Sequence, residues 1–201
     1  MSDKPQIIFI HGGDSFDTNE EFYDFVRSLS YNPYAIEREK WRDAIKKSLL
    51  ESHECLMPRF PNAMNVDYVA WSIWFEKVIP FLRDGVVLVG HSMGGGFLLR
   101  YLTEHKLSVA ISQLHLVAPV IDDVDCPGLG AFGIVIESWT GFLSHIEVVH
   151  LWHSSDDTLV PIHHSERLAI KIPSAIFHRF TDRGHFLIPE FPELQTAILE
   201  V

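Results

Sequence analysis

Three short stretches of this chain carry residue types that together can move an acyl group. The first is Gly90-His91-Ser92-Met93-Gly94, preceded by the apolar run 86–89 and followed by Gly95, Gly96 and the helical run FLLRYL. A G-x-S-x-G pattern between a strand and a helix puts its serine on a tight, strained turn, with the hydroxyl exposed at the strand's carboxyl end. The glycines let the backbone pass close to itself there. The helix that follows offers free N–H groups and its dipole to developing negative charge. Ser92 is the expected nucleophile.

The second stretch is EVVHLWHSSDDTLVP, residues 147–161, a β-branched and aromatic run ending in two aspartates. A carboxylate at the end of a strand can accept the Nδ1–H of a histidine and hold it in the tautomer a general base needs. Either Asp156 or Asp157 could do this. Asp157 is preferred, which leaves Asp156 to cap the turn that follows. The third stretch is FHRFTDRGHFLIP, where Gly184 lets the loop turn back so that the His185 imidazole swings over the sheet. Among twelve histidines most must be surface or packing residues. His185 is set apart from His163, His164 and His178 because it follows both the last expected strand and the acid. It is the expected base.

Acyl transfer also needs donors for the oxyanion of its tetrahedral intermediate. Met93, the residue after the nucleophile, supplies one N–H, and the loop His11-Gly12-Gly13-Asp14 supplies the other from Gly13. His11, Gly12, Asp14 and His91 are expected to border the substrate. Asp14 either caps the next segment or repels acidic substrates.

The elements that must position these residues follow from the apolar pattern. Strands are expected over 6–10, 53–58, 86–90, 113–118, 147–152 and 175–180. Helices are expected over 20–29, 36–52, 65–83, 93–105, 162–171 and 190–200. Strands alternating with helices imply a mostly parallel sheet of about six strands with helices on both faces, a three-layer α/β sandwich. Reactive groups in such sheets collect at the carboxyl ends of the strands. Residues 119–146 break the rhythm and are expected to form a small cap on a single domain spanning 1–201, with Trp139 and Phe142 as apolar wall.

These motifs together resemble the α/β-hydrolase superfamily, and more narrowly the small serine hydrolases of the retinoblastoma-binding protein 9 type with their bacterial relatives. The narrower resemblance rests on the opening IIFIHGGD, the GHSxGG turn, the acid loop with Ser154, Asp156, Asp157 and Pro161, and FTDRGHF. It implies a Ser92–His185–Asp157 triad, the second aspartate being the acid. Some eukaryotic members carry a Leu-x-Cys-x-Glu partner motif; this chain has none, so no retinoblastoma-type partner is implied.

Composition narrows the function further. A formal charge of −11 argues against nucleic acid and anionic membranes, and mildly against anionic substrates. No apolar run approaches the ~20 residues of a membrane helix. MSDKPQ lacks the basic stretch and cleavage site of a secretory leader, and two cysteines are too few for a disulfide framework, so a reducing cytoplasmic setting is expected. No H-E-x-x-H or comparable spacing appears, and neither metal nor cofactor is expected. The expected activity is hydrolysis of a small carboxylic ester or related acyl compound. The rivals are amide or peptide cleavage, acyl transfer, and a binding protein with a vestigial triad.

Overall fold

The computed structural model describes residues 3–35, 39–126, 128, 129, 132 and 142–200, with the backbone alone at 142 and 143. Among the described residues six parallel strands form one sheet: β1 (Gln6–Ile10), β2 (Glu54–Leu56), β3 (Val86–His91), β4 (Ile111–Val117), β5 (Ile146–Ser154) and β6 (Ile176–Phe180). Their spatial order is β2-β1-β3-β4-β5-β6. From β1 the chain steps outward to β2, then returns past β1 to β3 and continues the other way. The order therefore reverses between β1 and β3, and the loops leaving those strands diverge to open a crevice.

Both faces of the sheet are covered, which is why β1 and β3 read as near-continuous apolar runs, IIFI and VVLV. Side chains alternate between faces. Ile8, Ile10, Val86 and Leu88 join one core with Trp71 and Phe75 of α3 (Tyr68–Val78), Phe97 and Leu98 of α4 (Met93–Glu104) and Leu168 of α5 (His163–Lys171). Ile7, Phe9, Val87 and Val89 join the other, with Trp41 and Ile45 of α2 (Trp41–Ser48) and Leu194 and Ile198 of α6 (Pro192–Leu199). The remaining helix, α1 (Asn19–Ser28), buries no residue and is held by a capping box between Thr18 and Glu21.

Two helices are shorter than their apolar spacing suggests, and local caps explain both. The expected helix over 36–52 is realised only as α2, where the Asp43 carboxylate accepts from the Lys40 N–H and starts the first turn; residues 36–38 lie outside the described residues. The expected helix over 65–83 begins after Asp67, whose side chain accepts from the Ala70 N–H, and gives way at Pro80 to a single 3-10 turn, Ile79–Phe81. No helix among the described residues is long and apolar enough to cross a membrane.

Of the expected cap, the first part is tied down. Val120 and Ile121 are buried, the Ile121 N–H donates to His164 Nδ1, and Arg167 of α5 grips Asp122 with two hydrogen bonds of 2.6 and 2.9 Å. A 3-10 turn, Phe142–His145, leads into β5. Trp139 and the Phe142 side chain lie outside the described residues.

Candidate active site

Ser92 stands in the turn between β3 and α4 with φ 54° and ψ −122°, a backbone conformation that costs a non-glycine residue about 1–3 kcal/mol. The surroundings compel it. A Cβ on Gly90 would lie 2.6 Å from the Gly94 carbonyl oxygen, and one on Gly94 would lie 2.5 Å from the His11 carbonyl oxygen. Strand and helix can meet this closely only because both positions are glycine. The Ser92 N–H donates to the Val117 carbonyl at the end of β4, and its own carbonyl accepts from the Gly95 and Gly96 N–H groups. The strained turn is thus fastened on both sides.

The crevice side of Ser92 is lined by the loop after β1. A Cβ on Gly12 would sit 3.0 Å from the Ser92 Cβ, so this loop passes directly against the serine. Gly13 has no room for a side chain either: a Cβ there would meet Val66 and the Ala63 carbonyl oxygen within 2.6 Å. The Asp14 N–H donates to that carbonyl, and the Asp14 carbonyl accepts from the Val66 N–H, which pins the loop. Met93 opens α4, so its N–H has no acceptor within the helix.

The acid and the histidine meet at the far end of the sheet. His185 Nδ1 donates to Asp157 Oδ2 at 2.7 Å. An ionised carboxylate only accepts, so Nδ1 carries the hydrogen and Nε2 is left as the basic nitrogen. Asp157 Oδ1 accepts from the Leu159 and Val160 N–H groups at 2.9 and 3.0 Å. Burial works to raise the Asp157 pKa, but hydrogen bonds from His153 and His185, attraction to His185 and the Val160 N–H outweigh it and hold the carboxyl far below its ordinary range. It stays charged at any working pH. Among the described residues no hydrogen bond joins the Ser92 hydroxyl to the His185 ring.

The two aspartates divide the work differently from expectation. Asp157, not Asp156, caps the turn after β5, through the two N–H bonds to Oδ1. Asp156 reaches across to the histidine loop, accepting from the Gly184 N–H and from the Ser154 hydroxyl, which in turn accepts from the Arg183 N–H. Gly184 (φ 49°) and Phe186 (φ 54°) make the sharp bend there. Asp156 therefore shapes the loop that presents His185.

His11 and His91, expected beside the substrate, are committed to the scaffold instead. His11 Nε2 accepts from the Phe60 N–H, so its Nδ1–H donates to the Gly12 carbonyl. His91 is buried, and its Nε2–H donates at 2.8 Å to the backbone carbonyl of His185. Burial, helped by repulsion from His185, pushes the His91 pKa down to about 3. Nothing in the sequence pattern signals this bond, because it joins residues 94 apart. Asp14 is exposed as a residue, while partial burial of its carboxyl raises the pKa against the attraction of His185.

The backbone fold overlays that of known proteins. The ydeN gene product of B. subtilis superposes with a TM-score of 0.76 over 98% of this chain and 97% of that one, at 21% identity. This is the α/β-hydrolase fold. Est1E from Butyrivibrio proteoclasticus, solved with ferulic acid bound, shares the fold at a TM-score of 0.63 and 14% identity, over 98% of this chain and 87% of its own. By sequence, this α/β-hydrolase-fold chain is 25% identical to serine hydrolase RBBP9 of Rattus norvegicus over 158 residues, 77% of this chain and 82% of that protein. No family model matches the chain.

Proposed function

We propose that this protein is a serine hydrolase acting on a small carboxylic ester through an acyl-enzyme. The observation that carries the proposal is the His185–Asp157 bond at 2.7 Å, together with the strained Ser92 turn packed against the His11–Asp14 loop. In this scheme His185 Nε2 takes the Ser92 proton as the oxygen attacks the carbonyl, while Asp157 steadies the imidazolium. The Gly13 and Met93 N–H groups receive the oxyanion. The imidazolium then protonates the leaving alcohol, and water activated by the same base releases the acid and restores Ser92. No cofactor enters the cycle. The similarity to a serine hydrolase and to the esterase fold favours hydrolysis over a vestigial site. The setting we propose is cytoplasmic, with Cys55 and Cys126 as free thiols.

The acyl group we propose is short and uncharged. The Asp14 carboxyl at the crevice and the net charge of −11 both disfavour an anionic acyl chain. Residues 119–146, proposed as a cap with Trp139 and Phe142 as wall, are enough chain for a modest roof and too few for a long apolar tunnel. With p-nitrophenyl esters of increasing length, kcat/KM is expected to peak at acetate or butyrate and to be unaffected by EDTA. A maximum at long chains, or preference for a peptide, would overturn the substrate assignment. Loss of activity on chelation with recovery on adding zinc would overturn the mechanism.

A further inference from the structure

A second histidine lies on the acid. His153, near the end of β5, is completely buried, and its Nε2 is 2.8 Å from the Val160 carbonyl oxygen and 3.5 Å from Asp157 Oδ2. Both neighbours are acceptors, so Nε2 must carry a hydrogen, which bonds the Val160 carbonyl and lies beside the Asp157 carboxylate. Nδ1 is fixed at the other side of the ring by the buried Ser165 hydroxyl at 2.7 Å. We infer that His153 is a positioning residue for the acid, presenting a second N–H to the oxygen of Asp157 that holds His185.

The arrangement has two consequences, the first of them mechanical. Through Val160 and Asp157 together, the ring braces the turn 157–160 from beneath, and Ser165 ties that brace to α5. Asp157 Oδ2 then has its position set from the protein side rather than by His185 alone. The second consequence is electrostatic. A carboxylate oxygen that shares its charge between two donors pulls less strongly on either. His153 therefore limits how tightly Asp157 holds the His185 imidazolium. Among the described residues, the other titratable groups that interact with this carboxylate are His185 itself, Cys126 and Asp156, with His91 at longer range, and His185 in turn faces Asp14 and His91.

The inference rests on the serine-hydrolase proposal for its kinetic test but has a readout of its own. His153→Phe keeps the ring volume and removes the N–H. It is expected to lower kcat about 10- to 100-fold with KM unchanged, the range for losing one hydrogen bond to a charged group. The acid limb of the kcat/KM profile is expected to move to higher pH, since Asp157 now holds the imidazolium harder. His153→Gln, whose amide can donate in place of Nε2–H, is expected to recover much of the loss. Ser165→Ala, a small change that frees the ring, is expected to shift the profile the same way by less, and it carries the test if His153→Phe does not fold. Independently of turnover, the downfield proton resonance of His185 Nδ1 is expected to move further downfield in His153→Phe. Unchanged kcat, an unmoved acid limb and an unmoved resonance would overturn the role of His153. A wild-type protein without esterase activity would sink the hydrolase proposal instead, leaving the resonance to decide the positioning.

Discussion

Asp157→Asn is expected to lower kcat by roughly 10⁴-fold, the scale seen when the acid of a serine-protease triad becomes an amide, while Asp156→Asn costs less than about tenfold. The asymmetry follows from which oxygen does what. Asp157 Oδ1 accepts from two backbone N–H groups, so in the variant the amide oxygen must occupy that position. The amide nitrogen then faces His185 Nδ1 and donates to it. That reverses the bond: Nδ1 becomes the acceptor, the ring hydrogen moves to Nε2, and the base can no longer take a proton from Ser92. Asp156 accepts on Oδ1 from Gly184 and Ser154, a role an amide oxygen can fill. Steady-state kinetics on the two variants, with circular dichroism to check folding, measure the ratio. A larger loss in Asp156→Asn would reverse the assignment of the pair.

Mild acid is expected to unfold the protein, and buried histidines are the cause. His91, His115, His150 and His164 are all buried. Burial, with repulsion from neighbouring histidines, holds His115 well below the ordinary imidazole range. Burial pushes His150 and His164 down to about 4 and His91 to about 3, helped by His178 at His150 and by His185 at His91, and opposed by Asp122 at His164. Geometry requires the same result for two of them. His115 Nδ1 accepts from the Trp152 indole N–H, and His164 Nδ1 accepts from the Ile121 N–H, so neither nitrogen can bind a proton without breaking its bond.

In the unfolded chain these groups titrate near their ordinary value of about 6.5. As pH falls below that value the unfolded state takes up protons that the folded state refuses, so stability present above it is lost until the folded values near 4 are reached. Each group contributes at most about 1.4 kcal/mol per pH unit, and four together roughly 5. A domain of ordinary stability, about 5–15 kcal/mol, cannot withstand that slope for long. Urea midpoints are expected to drop steeply between pH 6.5 and 4.5. A flat midpoint across that range would show that these rings are not held neutral.

Much of this molecule can be read from its residues, for identifiable reasons. IIFI and VVLV read as strands because a parallel sheet covered on both faces leaves no polar alternation to confuse the pattern. The Ser92 turn is legible because only glycine fits at positions 90 and 94, so the steric demand is written in residue type. Helix ends were harder: Asp43 and Asp67 begin α2 and α3 later than the apolar spacing implies. Contacts between distant segments leave no local trace. The clasp of Asp156 on Gly184 and the His91 bond to the His185 carbonyl each join side chains to loops whose proximity depends on strand order. A histidine inside a β5 run looks the same in sequence whether it pairs with another ring, as His150 does with His178, or sits beside a carboxylate, as His153 does.

The measurement that bears most directly on the proposed chemistry is covalent labelling by a fluorophosphonate, followed by intact-mass analysis and peptide mapping. Only a serine activated by a neighbouring base attacks phosphorus quickly. Wild-type protein is expected to gain a single adduct, mapped to Ser92. Ser92→Ala is expected to gain none and to lose ester hydrolysis by several orders of magnitude in kcat. An adduct that persists in Ser92→Ala, or ester hydrolysis by a wild-type protein that takes no label, would contradict Ser92 as the nucleophile.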